Sequence, residues 1–409
     1  MFKLIIMIFS VTALAQLLQL GIQPLLTFLY SKEVFGHYSV FFSLFTFLSV
    51  VCLFQYNNLV LIGKNNLSEV LNSGKFFIIL LDFIVILSFL ALYITDIYVN
   101  IGITDYINLF ILIFLYSLSS IFRSSLIKLN KNKEYSFSIL LKSFFISVSQ
   151  VFFGVFDIKS GLIYGVILGE LISLIYIILK SPSHSLFSIN VKSAVATFIE
   201  NKQFLVWTTL QEIVAVFAFV MPIFIINKNY GFALGGEFAL AHKLIWSPAF
   251  LISQALSPVI LKKISEESKD YMVFFDKRAI FIFLFLICPI AYYILGYLLP
   301  LILNNEWENV VWIAQLLLFW VSLFVISIPS RLYLRATNRQ AIQLILDLST
   351  ILIFFIVFQV KLDISITIKI LVFSGAVLNL ALLIVGRYNF NKDQCCKFNV
   401  KNSMNVKDI

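Results

Sequence analysis

The sequence predicts an all-helical integral membrane protein with about twelve transmembrane spans. Three observations lead there. Only 12% of the 409 residues are charged and 61% are hydrophobic, whereas a soluble domain carries roughly 25% charged residues. Such a chain cannot cover its surface with polar groups, so the better solvent is a bilayer. Apolar runs of about 20 residues, the length that crosses the hydrocarbon layer, recur from end to end. Lysine and arginine collect in the short segments between them, where they act as a topology signal.

In chain order, the spans are expected at 4–29, 37–62, 76–95, 106–127, 137–156, 160–179, 203–227, 236–260, 279–303, 309–330, 341–360 and 364–386. The opening MFKLIIMIFSVTALAQ has a basic start, an apolar core and an Ala13-Leu14-Ala15 that imitates a cleavage site. The apolar run continues to Leu29, so the reading is an uncleaved first span. With the N-terminus placed in the cytoplasm, 23 Lys and Arg fall inside and 4 outside. That bias supports cytoplasmic termini and the span count, since one missed span would swap every later loop. The +9 net charge is thereby accounted for without nucleic acid. Cys52, Cys288, Cys395 and Cys396 show no metal or redox spacing, and no metal site is expected.

The longest polar segment, 181–202, follows span six. It divides the chain into an N-terminal lobe (1–180), this cytoplasmic linker, a C-terminal lobe (203–386) and a basic cytoplasmic tail (387–409). Six spans per half put both halves in the same direction, so two copies would be related by an axis along the membrane normal. Hints of copying are present. Gly36-His37-Tyr38-Ser39-Val40 and Gly236-Glu237-Phe238-Ala239-Leu240 share the pattern Gly-x-aromatic-small-aliphatic, 200 residues apart. Leu126-x-x-x-Asn130-Lys131 matches Leu334-x-x-x-Asn338-Arg339 at an offset of 208.

Polar side chains are costly in lipid and face a bundle interior or a wet cavity. In span one, Thr12, Gln16, Gln19, Gln23 and Thr27 step by three or four and share one helical face. One glutamine would suit helix–helix hydrogen bonding; three with two threonines suit a cavity wall better. In span eight Lys243, Ser247, Phe250, Gln254 and Ser257 form a similar stripe, with Lys243 about 10 Å below the helix end at about 1.5 Å per residue. Snorkelling of that lysine remains an equal reading. Arg123, Lys142, Asp82 and Asp347 lie within two turns of the inner face, and Glu170 and Glu212 near mid-span. A mid-membrane carboxyl is either a hydrogen-bonded acid or a proton or sodium site. Trp207, Trp246, Trp312 and Trp320 belong either to interfacial belts or to sugar-stacking surfaces. No His-Glu-x-x-His or P-loop motif and no outer loop beyond roughly 10 residues points to an enzyme.

At this point a resemblance enters. ALAQLLQLGIQPLLTFLYSKEVFGHYSVFFSL (13–44) is similar to the first two helices of Wzx-type O-antigen flippases, where "alaQ…P.LtRlYsPe.fG.ya" is frequent. GEFALAHKLIWSPAFLISQALSPVILKKISE (236–266) resembles their eighth helix. Lys243 stands where that family often has Arg. Phe28 replaces a common Arg, Gln55-Tyr56-Asn57 replaces Arg-Tyr-Glu, and Lys32-Glu33 replaces a Pro-acidic pair. The resemblance implies two six-helix lobes around a central cavity, as in multidrug (MATE) exporters and lipid II flippases. It implies a non-enzymatic flippase carrying an undecaprenyl-diphosphate-linked oligosaccharide across the bacterial cytoplasmic membrane by alternating access. It implies no cofactor, with H+ or Na+ coupling at Glu170 or Glu212. The partners implied are the lipid-linked oligosaccharide, membrane lipids, and the polymerase and chain-length regulator of the same pathway. Lys243, Arg123 and Lys142 would meet the diphosphate; Thr12, Gln16, Gln19, Gln23, Ser247 and Gln254 would meet sugar hydroxyls. A MATE-like small-molecule exporter and, less favoured, a multi-spanning polymerase stay open as alternatives.

Overall fold

The computed structural model describes residues 2–62, 66–94, 102–180, 190–265, 286–337, 339–360 and 362–405. Among them there is helix and no strand. In lipid every backbone polar group must be satisfied within its own segment, which favours this outcome. The helices are α1 (Phe2–Gly21), α2 (Gln23–Leu29), α3 (Lys32–Leu53), α4 (Tyr56–Ile62), α5 (Leu67–Ile94), α6 (Ile103–Lys128), α7 (Asn132–Val155) and α8 (Gly161–Lys180). They continue with α9 (Val191–Tyr230), α10 (Phe232–Ser265), α11 (Cys288–Ile302), α12 (Glu308–Ala336), α13 (Gln340–Gln359) and α14 (Ile364–Asn405).

Each expected span falls on helix, the ninth being described only from residue 286. Among the described residues, ten helical stretches, one of them running through α1 and α2, are long and apolar enough to cross a membrane. Two spans are broken rather than continuous. The first parts at Ile22, and Pro24 occupies the opening turn of α2, where its missing N–H costs nothing. The second parts at Phe54 and Gln55, both in the left-handed region with φ of 45° and 58°. Part of the expected 181–202 linker is helical. The Asn190 side chain caps α9 by accepting from the Ser193 N–H (3.2 Å). Asn72 on α5 holds the Asn190 backbone from both sides, at 2.8 and 3.0 Å.

The chain forms two compact units, Met1–Leu240 and Ala241–Ile409. In the first, α9 packs against α3 and α5, α1 runs along α7, and α6 and α7 both pack on α8. One apolar core gathers Tyr56, Val60, Leu71, Ile78, Ile121 and Phe122. A second gathers Phe41, Phe45, Leu112 and Ile113. In the second unit, α12 packs on α14 and α11, and α13 packs on α14. Leu17, Phe83, Phe152, Leu179, Tyr297 and Leu352 are among many large apolar side chains left exposed, the pattern of a surface solvated by lipid.

The start of α3 meets the start of α10 backbone to backbone. A Cβ on Gly36 would lie 2.0 Å from the Phe232 carbonyl oxygen, and one on Gly236 would lie 2.0 Å from the Lys32 carbonyl oxygen. Residues 32 and 36 are 200 positions from 232 and 236, so the contact is reciprocal. Its flanks are reciprocal too. Lys32 pairs with Glu237 at 2.9 Å, and Phe232 lies edge-on to His37 with ring centroids 5.8 Å apart. The Gly-x-aromatic motif and its copy therefore meet each other, as two-fold related copies would.

Candidate functional site

The site in the first unit begins with glycines. Gly161, Gly165 and Gly169 recur every fourth residue on α8, a spacing that lets helix backbones approach in lipid. A Cβ on Gly165 would lie 2.5 Å from the Gln150 side chain. One on Gly169 would lie 2.3 Å from Ile146 and 2.9 Å from the Lys142 carbonyl. This close approach of α8 to α7 delivers the next residue, Glu170, to the Lys142 side chain. α6 supplies Ser119 and Arg123, one turn apart on one face.

The result is a buried ionic cluster. Glu170 Oε2 accepts from Arg123 at 2.6 Å and from the Ser119 hydroxyl at 3.1 Å. Arg123 also donates to the Ser119 oxygen at 2.7 Å. Glu170 Oε1 pairs with the Lys142 ammonium, which lies 5.4 Å from the centroid of the Tyr116 ring. The Glu170 side chain is 1% exposed, against 12% for Arg123 and 21% for Lys142. The carboxylate is enclosed, while the two cations keep an accessible side. Two cations and one anion leave a surplus of +1. An isolated charge here would be prohibitive; the ion pairs and charge-assisted hydrogen bonds offset that cost. Arg123, Lys142 and Glu170, read from sequence as separate candidates, are thus one structure. Glu170, expected as an ion-coupling carboxyl, has both oxygens engaged by cations. Glu212 on α9 is half-buried, and its charge reaches the Tyr116 side of the cluster.

The polar stripe of the first span faces α7. Gln19 donates to Ser143 at 3.1 Å, the residue after Lys142. Gln23 turns back to the Gln19 carbonyl at 2.7 Å and Thr27 to the Pro24 carbonyl at 2.6 Å. Gln16 and Thr12 are half-buried. Just beyond α2, Tyr30 donates to the Gln150 carbonyl at 2.7 Å, and burial pushes its phenol up to about 12. In the second unit, Lys243 is half-buried on α10, and no carboxylate pairs with it among the described residues. Ser247 donates back to the Lys243 carbonyl at 2.7 Å. The Gln254 side chain lies outside the described residues. Trp246 and Trp320 are buried and cross edge-to-face with centroids 5.3 Å apart. Trp207 is 64% exposed.

One group escaped the sequence reading. Arg331 on α12, counted only among the loop cations, donates to Asn379 Oδ1 on α14 at 2.9 Å and to Ser327 at 3.4 Å. Ser327 itself donates to Asn379 Oδ1 at 3.0 Å. The guanidinium lies 5.4 Å from the Phe324 ring centroid. Positions 324, 327 and 331 are 208 beyond Tyr116, Ser119 and Arg123. The signal was the loop match at the same offset: extended back by three residues, it superposes both arginines. The helix ends agree as well, with Lys131 N–H on the Leu126 carbonyl and Arg339 N–H on the Leu334 carbonyl, each at 2.8 Å.

No family model matches the chain, and no curated protein matches it. Solved structures do. An inward-facing multidrug-resistance MATE transporter of the MOP superfamily aligns with TM-score 0.66 at 12% identity, over 94% of each chain. The lipid II flippase MurJ, in an inward-closed conformation, aligns with TM-score 0.70 at 14% identity, over 94% of this chain and 87% of its own. A MOP-superfamily transporter from Pyrococcus furiosus aligns with TM-score 0.54 at 13% identity, over 95% and 94%. The protein has the fold seen in this MATE transporter and in MurJ.

Proposed function

We propose that the protein is a flippase for an undecaprenyl-diphosphate-linked oligosaccharide, such as an O-antigen repeat unit. It would act from the inner to the outer leaflet of the cytoplasmic membrane, with both termini inside. The observation that carries this reading is the Arg123–Lys142–Glu170 cluster: membrane-embedded, net positive, with its carboxylate enclosed and its cations partly accessible. A diphosphate moving past hydrocarbon needs such cations. Lys243, without a paired carboxylate among the described residues, is a second cation for the same charge. The hydroxyls and amides of Thr12, Gln16, Gln19, Gln23, Ser247 and Gln254 suit sugar hydroxyls, and the lipid tail stays in the bilayer. Alternating access, coupled to H+ or Na+ through Glu212 or Glu170, supplies the direction. The polymerase and chain-length regulator of the pathway are the partners that receive the product.

Deletion of the gene, with complementation, tests this. The expected result is loss of surface polysaccharide with lipid-linked repeat units trapped at the inner leaflet. Complementation by Lys243→Ala at normal expression is expected to fail; full rescue would remove Lys243 from the site. The MATE-like exporter is favoured by one observation, the alignment over 94% of both chains. Efflux of a small molecule with unaltered surface polysaccharide would establish that reading instead.

A further inference from the structure

We infer that Arg331, Ser327 and Asn379 form a phosphate-binding subsite in the second unit, with an amide where the first unit's cluster has a carboxylate. The inference rests on the flippase reading for the identity of the phosphate carrier, and on the structure for the site.

The two triangles have the same plan. In each, an arginine donates to a serine one turn earlier on its own helix and to an oxygen on a neighbouring helix. In each, the serine donates to that same oxygen. In each, an aromatic ring seven residues before the arginine carries a cation, Lys142 over Tyr116 and Arg331 over Phe324. The acceptor differs. In the first unit it is the carboxylate of Glu170, which neutralises Arg123. In the second it is the Oδ1 of Asn379, which holds Arg331 in place and brings no charge. The amide orientation is settled by its other end, since Nδ2 donates to the Gly375 carbonyl at 2.7 Å. Oδ1 therefore faces the guanidinium.

The replacement has a chemical consequence. A guanidinium among membrane helices is retained at a cost unless it is paired or used. The first copy pairs its arginine directly; the second leaves it hydrogen-bonded to neutral groups. The charges of Asp347 on α13 and Arg335 on α12 both reach it, with opposite sign. Ser327 and Asn379 are buried, at 0% and 1%, while Arg331 is half-buried. The anchor is enclosed, and Arg331 is the member of the triangle that keeps some exposure. Nε and one terminal nitrogen are engaged, and the other terminal nitrogen is turned to neither Ser327 nor Asn379. A planar fork held on one edge and presented on the other matches a phosphate oxygen pair. The ligand class is a phosphoryl or diphosphoryl group, carried by a prenyl lipid, by a phospholipid or free.

Asn379→Asp separates this role from a structural one. It places, with an almost isosteric side chain, the carboxylate seen in the first unit beside Arg331; the new ion pair offsets the lost Nδ2 bond to the Gly375 carbonyl, and the unfolding midpoint, measured alongside, checks that the fold is kept. A structural arginine would be indifferent or better served. A phosphate site would lose its free charge. Purified protein in detergent is titrated with undecaprenyl diphosphate, inorganic diphosphate and phosphatidylglycerol, following heat or fluorescence. The expected result is diphosphate binding by the unaltered protein that weakens at least tenfold in Asn379→Asp and in Arg331→Gln. Arg331→Lys, which keeps the charge and loses the fork, should fall between. Unchanged diphosphate affinity in both variants overturns the subsite and leaves the flippase reading standing. Binding of phosphatidylglycerol alone, lost in both variants, keeps the subsite and overturns the flippase reading. No binding of any probe by the unaltered protein overturns both.

Discussion

Glu170→Gln tests the cluster most directly. Glu170 neutralises two cations through both oxygens, Arg123 at 2.6 Å and Lys142 in direct contact, so its removal raises the local charge from +1 to +2. At an effective dielectric near 20, a unit pair 2.6 Å apart is worth about 6 kcal/mol of direct attraction. Much of that is offset by the cost of desolvating both groups, and measured losses for one partner of a buried pair are about 3–5 kcal/mol. The variant should therefore unfold about 3–5 kcal/mol more easily, read as a lower thermal midpoint of the purified protein. Glu170→Gln with Lys142→Gln returns the cluster to +1, so the double variant should be more stable than Glu170→Gln alone. A diphosphate that binds the extra charge should restore part of the loss, by about 2.7 kcal/mol at a hundred times its dissociation constant. An unfolding midpoint in Glu170→Gln equal to that of the unaltered protein would refute the reasoning, because it would mean the cations are already solvated.

Other consequences follow from close packing. Gly36→Ala places a methyl 2.0 Å from the Phe232 carbonyl oxygen, and overpacking of this kind costs about 1–3 kcal/mol. Gly236→Ala should cost about the same, and the double variant less than the sum, since the first methyl already parts the helices; strict additivity in thermal unfolding would contradict the reciprocal contact. Gly169→Val should separate α8 from α7 and disturb Glu170 with it. Its unfolding loss should exceed that of Gly21→Val, since a Cβ at Gly21 meets nothing within 4 Å; equal losses would count against the packing argument. Asp82 is 2% exposed, and the Cys52 thiol on α3 lies within hydrogen-bond reach of its carboxyl. Among the described residues no cation forms a salt bridge with it, so Asp82→Asn should unfold within about 1 kcal/mol of the unaltered protein, and a loss above about 3 kcal/mol would show a charged partner instead.

Much of the fold was legible because lipid imposes one rule. Apolar runs of spanning length must be helices, and the lysine and arginine count numbered them. Local backbone geometry was less legible. The break at Ile22 interrupts a span expected to be continuous, although Pro24 stands just after it, and nothing in Phe54-Gln55 announces two left-handed residues. The site was half legible. Arg123, Lys142 and Glu170 stood out as ions in apolar sequence. Their convergence did not, because it depends on the Gly161–Gly165–Gly169 stripe and on which face of α8 turns to α7. Arg331 was misplaced among the loop cations because α12 continues past 330 to Ala336, which puts the residue a full turn inside the helix.

The reciprocal meeting of Gly36 with Phe232 and Gly236 with Lys32 is what a symmetric homodimer shows at its axis. An isologous contact of that kind is satisfied by two copies and offers nothing to a third. Here both copies lie on one chain, so the pairing cannot be diluted or exchanged with another molecule. The two halves of the contact also differ: Lys32 faces Glu237, while their equivalents Phe232 and His37 form a ring contact. A subunit obliged to meet its identical twin could not have held both arrangements at once.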